Sequence, residues 1–446
     1  MDRRSFLKSA ALTATAAVPF TAFMQRAAGA QGHPGGVRRG HTAGYGPLFQ
    51  TIDQTTGLPL LALPEGFRYL SFGWVRDPLD NGDLTPGAHD GTAAFAAGRG
   101  RVRLVRNHEM GPGVPFSTAR YNPAAAGGTV TIEFDTHRGE VVSMRDSLSG
   151  TLRNCAGGLT PWGTWLTCEE TTLFHAGMPH GYIFEVPADG LGDPTPLKDM
   201  GRFSHEAVAV DPATGYVYET EDAGNSGFYR FVPGTPGQLS NGGELFALKV
   251  KGVHVANLGA NLPNGSTYDV EWVPIAAPDA PGAIPGNFVW AQGAALGAAR
   301  FARLEGSWYG NDAKIYIVST SGGIGQGQIW EYDPGAEHIR LLFQSPGAAV
   351  LNAPDNICVS PRGGLVLCED GSGEEFLHGL TVDGEIFPFA KNTIVMNGER
   401  NGLVGDFRGG EWAGACYSPD GKWLFASLQQ PGVTFAITGP WAAGAL

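Results

Sequence analysis

Short apolar runs alternate along this chain with clusters of glycine, proline, aspartate and asparagine. Apolar runs of about four to eight residues, rich in valine, isoleucine, threonine and aromatics and bounded by turn residues, are typical of β-strands. Asp211-Pro212, Asp383-Gly384 and Asp420-Gly421 are turn pairs that fit hairpins between such strands. The sequence has no long stretch of helical periodicity. The pattern therefore predicts a protein that is almost entirely β.

A strand-turn-strand plan occurs six times, in blocks 89–109, 160–170, 205–222, 304–320, 354–370 and 411–430. In five blocks an acidic residue precedes the first apolar run, namely Asp90, Glu206, Glu305, Asp355 and Glu411. In four blocks the second run ends on an acidic residue: Glu109, Glu170, Glu221-Asp222 and Glu369-Asp370. Repeats of about 40–50 residues with four strands each are typical of β-propellers, whose first strands line a central channel. We therefore predict a six-bladed all-β propeller with loop insertions lining a site on its axis.

Carboxylates at the ends of inner strands would converge on this axis. Acidic groups that share a small volume repel one another unless cations neutralise them, so the pattern predicts a site for several metal ions. Carboxylate and amide oxygens suit calcium, whereas a thiolate among them suits a transition metal. Cys155 lies in a polar, glycine-rich segment, while the other four cysteines lie in apolar runs. Cys155 is therefore the candidate thiolate ligand.

The first 30 residues have the features of a targeting peptide. Arg3-Arg4 precede a Ser-Phe-Leu-Lys segment, an apolar stretch follows over 10–23, and Ala28-Gly29-Ala30 resembles a cleavage site. We predict a twin-arginine signal peptide over 1–30 and a single propeller domain over 31–446. The twin-arginine translocase would then deliver the folded protein to the periplasm or the cell exterior.

The chain is acidic, with a formal net charge of −13. Removal of residues 1–30 takes four of the 30 basic and one of the 43 acidic residues, which leaves −16. This balance opposes nucleic-acid binding but permits a phosphate substrate, because bound cations reverse the local charge. No later stretch has the roughly 18–20 apolar residues of a membrane span. We expect a monomeric mature protein that does not associate with a membrane.

Long, ordered motifs across the chain resemble the PhoX family of alkaline phosphatases. They are NCAGGLTPWGTWLTCEE (154–170), with NHE (107–109), SHEAVAVDPATGYVYETED (204–222), FARLEG (301–306), PDNICVSPRGGLVLCEDG (354–371) and PDGKWLFASLQQPGVTFAITGPW (419–441). The resemblance implies a six-bladed propeller, exported by the twin-arginine route, that hydrolyses phosphate monoesters. It also implies Fe3+ and Ca2+ as cofactors.

The resemblance further implies roles for single residues. Cys155 would be an iron ligand, and Arg303, as the catalytic residue, would contact the phosphate. Carboxylates shared between iron and calcium would come from Glu170, Glu206 and Glu305. Asn356 would contact substrate as well as metal. The further calcium ligands implied by the resemblance are Asp355, Asn356, Glu369, Asp370 and Glu411.

Other interpretations of the same residues stay open at this point. Asp355 and Asn356 could stabilise a turn, and Arg303 could be a structural partner of Glu305. Propellers host many functions, so the chain could be an exported binding or scaffold module. It could also be a calcium-dependent propeller hydrolase such as a lactonase. Cys155 would distinguish a PhoX-like phosphatase from such a lactonase, because the lactonase needs no thiolate.

Overall fold

A computed structural model describes residues 43–279 and 288–446 of the 446-residue chain. The predicted signal peptide, 1–30, lies outside the described residues. Strands dominate the described ranges, in which α1 (Phe288–Ala295) is the only α-helix. Single turns of 3-10 helix occur at Lys198–Met200, Leu239–Asn241 and Trp441–Ala443. The prediction of an almost entirely β protein is confirmed.

The strands are short and follow one another through tight turns. In the first half of the chain they are β1 (Leu48–Thr51), β2 (Leu61–Pro64), β3 (Arg68–Phe72), β4 (His89–Ala96), β5 (Arg101–His108), β6 (Gly127–Asp135), β7 (Glu140–Thr151), β8 (Asn154–Leu159), β9 (Thr164–Glu169), β10 (Phe174–His175), β11 (Met178–Pro179), β12 (Ile183–Pro187), β13 (His205–Val210), β14 (Val217–Glu221) and β15 (Phe228–Pro233). In the second half they are β16 (Gly243–Val250), β17 (Thr267–Pro274), β18 (Leu304–Tyr309), β19 (Ile315–Ser319), β20 (Gln328–Asp333), β21 (His338–Gln344), β22 (Pro354–Val359), β23 (Leu365–Glu369), β24 (Phe376–Leu380), β25 (Ile386–Asn392), β26 (Val395–Asn397), β27 (Val404–Asp406), β28 (Trp412–Tyr417), β29 (Leu424–Leu428) and β30 (Val433–Thr438).

Six strands, which we call the inner strands, form a closed ring. They are β4, β8, β13, β18, β22 and β28, and each contacts the next in this order until β28 meets β4. Each also pairs antiparallel with the strand that follows it along the chain, which begins a sheet running outward. The ring confirms a propeller-like architecture around a central axis. We interpret each inner strand as the first strand of one blade.

The ring is closed by both ends of the chain. Strand β3, near the N-terminus, pairs antiparallel with β30 near the C-terminus, with Leu70 opposite Ala436. Strands β1 and β2 extend another sheet by pairing with β25, where Leu61 lies opposite Asn392. The hydroxyl of Tyr45 donates to the carbonyl of Leu446 at 2.7 Å. Distant parts of the sequence therefore have to meet before the ring can close.

Apolar side chains fill the space between neighbouring sheets. Phe72 on β3, Phe134 on β6 and Phe425 on β29 are buried in one such cluster. The Phe134 and Phe425 ring centroids lie 5.4 Å apart in an edge-to-face arrangement, which aromatic pairs favour. Packing of this kind fixes the inner strands, and the residues that they carry, relative to one another.

The same irregularity recurs near the start of every inner strand. At that point two residues stand opposite a single residue of the neighbouring strand, which is a β-bulge. Bulges redirect side chains and are common beside active sites. The bulged pairs are Asp90-Gly91, Cys155-Ala156, Glu206-Ala207, Glu305-Gly306, Asp355-Asn356 and Gly414-Ala415. Five of them begin with a carboxylate or a thiol.

The second residue of each bulge is small in all but one case, because the inner strands approach closely there. A Cβ atom at Gly91 would lie 2.6 Å from Ala156 Cα and 2.8 Å from Cys155 O. A Cβ atom at Gly306 would lie 2.7 Å from Asp355 O. Asn356 is the exception. The bulged residues of adjacent strands are therefore in direct contact around the axis.

Replacing Gly306 with alanine should destabilise the ring, because the new methyl group would meet the backbone of β22. We expect the free energy of unfolding to fall by about 1–3 kcal/mol, a typical cost of overpacking. Urea unfolding followed by tryptophan fluorescence measures it. Gly347→Ala is the matched control, since nothing lies within 4 Å of its Cβ position. Equal stability of the two variants would contradict the close approach of β18 and β22.

Candidate metal centre

The bulged residues bring five potential metal ligands to one end of the ring. They are the side chains of Asp90, Cys155, Glu206, Glu305 and Asp355. All except Asp355 are nearly fully buried. In the sixth inner strand Gly414 occupies the corresponding position, and Glu411 lies just before that strand.

A second set of side chains lies at the same end, one residue after the strand that pairs with each inner strand. In every case the backbone N–H of this residue donates to the carbonyl of the residue immediately before the inner strand. For example, Glu170 N donates to Arg153 O at 2.8 Å and Asp370 N to Ala353 O at 3.0 Å. These hydrogen bonds hold the second set next to the bulges, at the same end of the inner strands. Its members are Glu109, Glu170, Asp222, Thr320, Asp370 and Gln429.

Side chains from the two sets, together with Glu411, form three groups, each able to hold a metal ion. In every group one ligand atom from each residue lies within 4.8 Å of the others. The groups are Cys155, Glu170 and Glu206; then Glu206, Glu305 and Asp355; and then Asp355, Asp370 and Glu411. Because Glu206 and Asp355 each belong to two groups, the groups form one continuous chain. We call it the acidic chain.

Burial makes the charged forms of these groups unfavourable. It raises the pKa of Glu206 well above the ordinary value, and the nearby Glu305 and Asp355 carboxylates raise it further. Burial also raises the pKa of Glu170 to about 9 and that of Asp355 to about 7. The pKa of the Cys155 thiol is raised by burial and then by Glu206. Cations would supply the opposite charge that the ionised groups need.

The donor atoms of the acidic chain fit metal ions. Asp355 Oδ1 is buried and accepts no hydrogen bond from the described part of the chain. One group combines the Cys155 sulfur with two carboxylates, and the other two groups offer oxygen only. Sulfur favours a transition metal, whereas oxygen alone favours calcium or magnesium. The site can therefore hold two kinds of cation.

Two arginines border the acidic chain. Arg303 donates from Nε and Nη2 to the two Asp222 oxygens at 2.8 and 3.0 Å, and its Nη2 lies 2.8 Å from Glu305. Arg153 donates from Nε to Glu109 at 3.1 Å and from Nη2 to Glu170 at 2.7 Å. Both side chains are about half exposed, at 43% and 48%. They place positive charge at the solvent side of a buried acidic site.

The family model of alkaline phosphatase PhoX matches residues 43–147 and 123–432, which together include the acidic chain and both arginines. The chain belongs to the PhoX family of alkaline phosphatases. It is accordingly a metal-dependent phosphatase, which acts on phosphorylated substrates.

Among solved structures, Pseudomonas fluorescens PhoX in complex with vanadate, a transition state analogue, matches with a TM-score of 0.66 and 19% sequence identity. The match covers 89% of this chain and 99% of that one. A gluconolactonase from Xanthomonas campestris matches at a TM-score of 0.43 and 14% identity, over 89% and 99% of the two chains. No curated protein matches the chain in sequence. The first match agrees with the fold of the PhoX family.

Glu369 differs from the other acidic residues that the PhoX resemblance suggested as ligands. It is buried inside its sheet, where it accepts hydrogen bonds from Asn352 N at 2.8 Å and Phe376 N at 3.1 Å. His378 Nε2 lies 3.1 Å from it. Successive side chains of a strand point to opposite sides, so Asp370 rather than Glu369 reaches the acidic chain. Glu369 thus lies outside the three groups, and its assignment as a metal ligand remains a prediction.

Asn356 follows Asp355 in the bulge of β22 in this PhoX-family protein. It is buried, and it occupies the position at which the other bulges have glycine or alanine. Its roles in binding calcium and substrate remain predictions.

Arg153 and Asp222 are parts of the site that were not predicted from the sequence. A signal for Arg153 was present: it lies two residues before Cys155, just as Arg303 lies two residues before Glu305. Asp222 ends a repeat block in the same way as Glu170, but nothing in the sequence indicated that it would meet Arg303. That contact joins the two ends of one nine-stranded sheet, because Asp222 follows β14 and Arg303 precedes β18.

Protein that has been freed of metal by a chelator should become less stable as the pH rises from about 5 to about 9. The folded-state pKa values of Asp355 and Glu170, about 7 and about 9, lie above those of an unfolded chain. In this range the unfolded state releases protons that the folded state retains, so the free energy of unfolding falls with rising pH. Urea midpoints at several pH values measure this. A midpoint that stays constant over the range would contradict the crowding of these carboxylates.

Proposed function

We propose that this protein is an exported phosphomonoesterase that holds iron and calcium along the acidic chain. The observation that carries the proposal is one cysteine thiol within linked carboxylate groups, bordered by half-exposed arginines. Membership of the PhoX family supports it. Phosphatase assays combined with elemental analysis of protein purified without chelators test it. An active protein that contains neither metal would contradict it.

Iron is assigned to the group of Cys155, Glu170 and Glu206, because a thiolate ligand favours a transition metal. Calcium is assigned to the two groups that offer only oxygen ligands. Glu206 belongs to both kinds of group, so it would bridge the two metals. Asn356 lies beside Asp355 and would add an amide oxygen to a calcium ion or bind the substrate.

Arg303 would bind the phosphoryl group of the substrate. Asp222 and Glu305 fix its Nε and Nη2 atoms, while Nη1 makes no hydrogen bond to the described residues. A guanidinium group held in this way presents N–H donors to phosphoryl oxygens without further ordering. Cations in the acidic chain would neutralise charge on the phosphoryl group and activate water. The alcohol part of the ester would lie on the half-exposed arginine side of the site.

Export is inferred from the sequence of residues 1–30, which fits a twin-arginine signal peptide. The translocase would release the protein into the periplasm or the medium, and we infer a monomer formed by 31–446. In the described ranges no helix has the length and hydrophobicity required to cross a membrane. A calcium-dependent lactonase or a binding module is the weaker interpretation, because neither needs the Cys155 thiol in the acidic chain.

Replacing Cys155 with serine should reduce the iron content of the purified protein severalfold, because a soft ligand is lost. The calcium content should change little. Cys168→Ser is the matched control, since Cys168 is also a buried free cysteine but lies in none of the three groups. Elemental analysis and visible absorption measure the effect. If both variants retain iron equally, Cys155 is a structural residue.

Replacing Arg303 with alanine should lower kcat/KM about thirty- to a thousandfold, which is roughly 2–4 kcal/mol of transition-state stabilisation. Lysine should restore only part of the activity, because a point charge cannot reproduce a planar two-pronged contact. Metal content and melting temperature should remain close to those of the unmodified protein. If the alanine variant instead loses metal or unfolds, Arg303 mainly supports Asp222 and Glu305.

A further inference from the structure

We propose that Arg153 is a second anion-binding residue at the solvent side of the acidic chain. It would make the enzyme prefer phosphate esters that carry another anionic group, a carboxylate or a second phosphoryl group. This proposal rests on the proposed function, in which Arg303 binds the phosphoryl group that is transferred.

Arg153 and Arg303 occupy equivalent places in the ring. Each immediately precedes an inner strand, and each adopts a left-handed backbone conformation, with φ of 50° and 51°. The carbonyl of each accepts a hydrogen bond from the second set of residues, from Glu170 N at 2.8 Å and Thr320 N at 2.9 Å. The fold therefore presents the two side chains to the axis in the same way.

Their contacts are equivalent as well. Arg153 engages two carboxylates through Nε and Nη2, as Arg303 does. In neither residue does Nη1 bond to any part of the chain that the structure describes. Both guanidinium groups are fixed by protein carboxylates and still have N–H donors available for a ligand.

The two arginines are close enough to act on one small molecule. Arg153 Nη2 donates to Glu170 at 2.7 Å, and Arg303 Nη2 lies 2.8 Å from Glu305. Ligand atoms of Glu170 and of Glu305 each lie within 4.8 Å of a ligand atom of Glu206, so a short row of carboxylates joins the two arginines. A ligand whose phosphoryl group lies at Arg303 can therefore reach Arg153 with a second anionic group on a short linker.

A purely structural role would be to neutralise Glu109 and Glu170. However, Glu170 belongs to a metal group, so a cation would compete with Arg153 for its oxygens. Arg153 would then have still more donors for an anion from solution. Guanidinium binds carboxylate and phosphate in the same planar, two-pronged way, so either can be the second group.

Binding to the metal-loaded protein tests the proposal without turnover. Propylphosphonate and 3-phosphonopropionate have the same three-carbon chain, but only the second has a carboxylate. By calorimetry we expect 3-phosphonopropionate to bind about tenfold more tightly, and Arg153→Ala to abolish this preference without changing the Kd of propylphosphonate. Arg145→Ala removes one positive charge at an outer ion pair with Asp189 and should leave the preference intact.

Kinetics provide a second measurement. For phosphoglycolate, which has a carboxylate, Arg153→Ala should raise KM about tenfold and leave kcat nearly unchanged. For ethyl phosphate, which has none, KM should change less than about twofold. An unmodified protein that shows no preference between the phosphonates, or a variant that keeps the preference, would overturn the proposal. So would equal losses for both esters or loss of metal. If the unmodified protein hydrolyses neither ester, the proposed function fails, while the phosphonate comparison still tests Arg153.

Discussion

The crowding of carboxylates and one thiol around a narrow axis is the constraint on which the rest of this structure depends. Bulges in the inner strands turn these groups toward the axis, and tight contacts at residues such as Gly91 and Gly306 keep the strands close. The uncompensated negative charge is unfavourable in a buried place, as the raised pKa values of Glu206 and Glu305 indicate. Bound cations would offset this cost, so metal binding should stabilise the folded protein.

Positive charge from the protein itself is confined to the solvent side of this cluster. Arg153 and Arg303 each hold two carboxylates there and remain about half exposed. Cations on the buried side and the Arg303 guanidinium group on the open side would surround a bound phosphoryl group with positive charge, while Arg153 would face a second anionic group of the substrate. This arrangement suits phosphoryl transfer, in which charge on the phosphoryl oxygens has to be stabilised.

The rest of the fold maintains this geometry. The pairing of β3 with β30 closes the ring, so the inner strands cannot move apart without breaking a sheet that joins both ends of the chain. A second layer of buried acids, including Glu221 and Glu369, binds backbone N–H groups inside the sheets. Through these hydrogen bonds the two residues position the loops beside the site.

By itself, the sequence determined the β class, the repeated blocks and the acidic character of the axis, because strand periodicity and turn residues are local features. It also indicated Cys155, through its polar and glycine-rich surroundings. Only the tertiary structure decided which of two adjacent acids faces the axis, as with Glu369 and Asp370, since that depends on strand pairing and side-chain alternation. Arg153 and Arg303 likewise come together only because the sheet of β8 meets both edges, β13 and β18, of a nine-stranded sheet, and no local pattern encodes such a meeting.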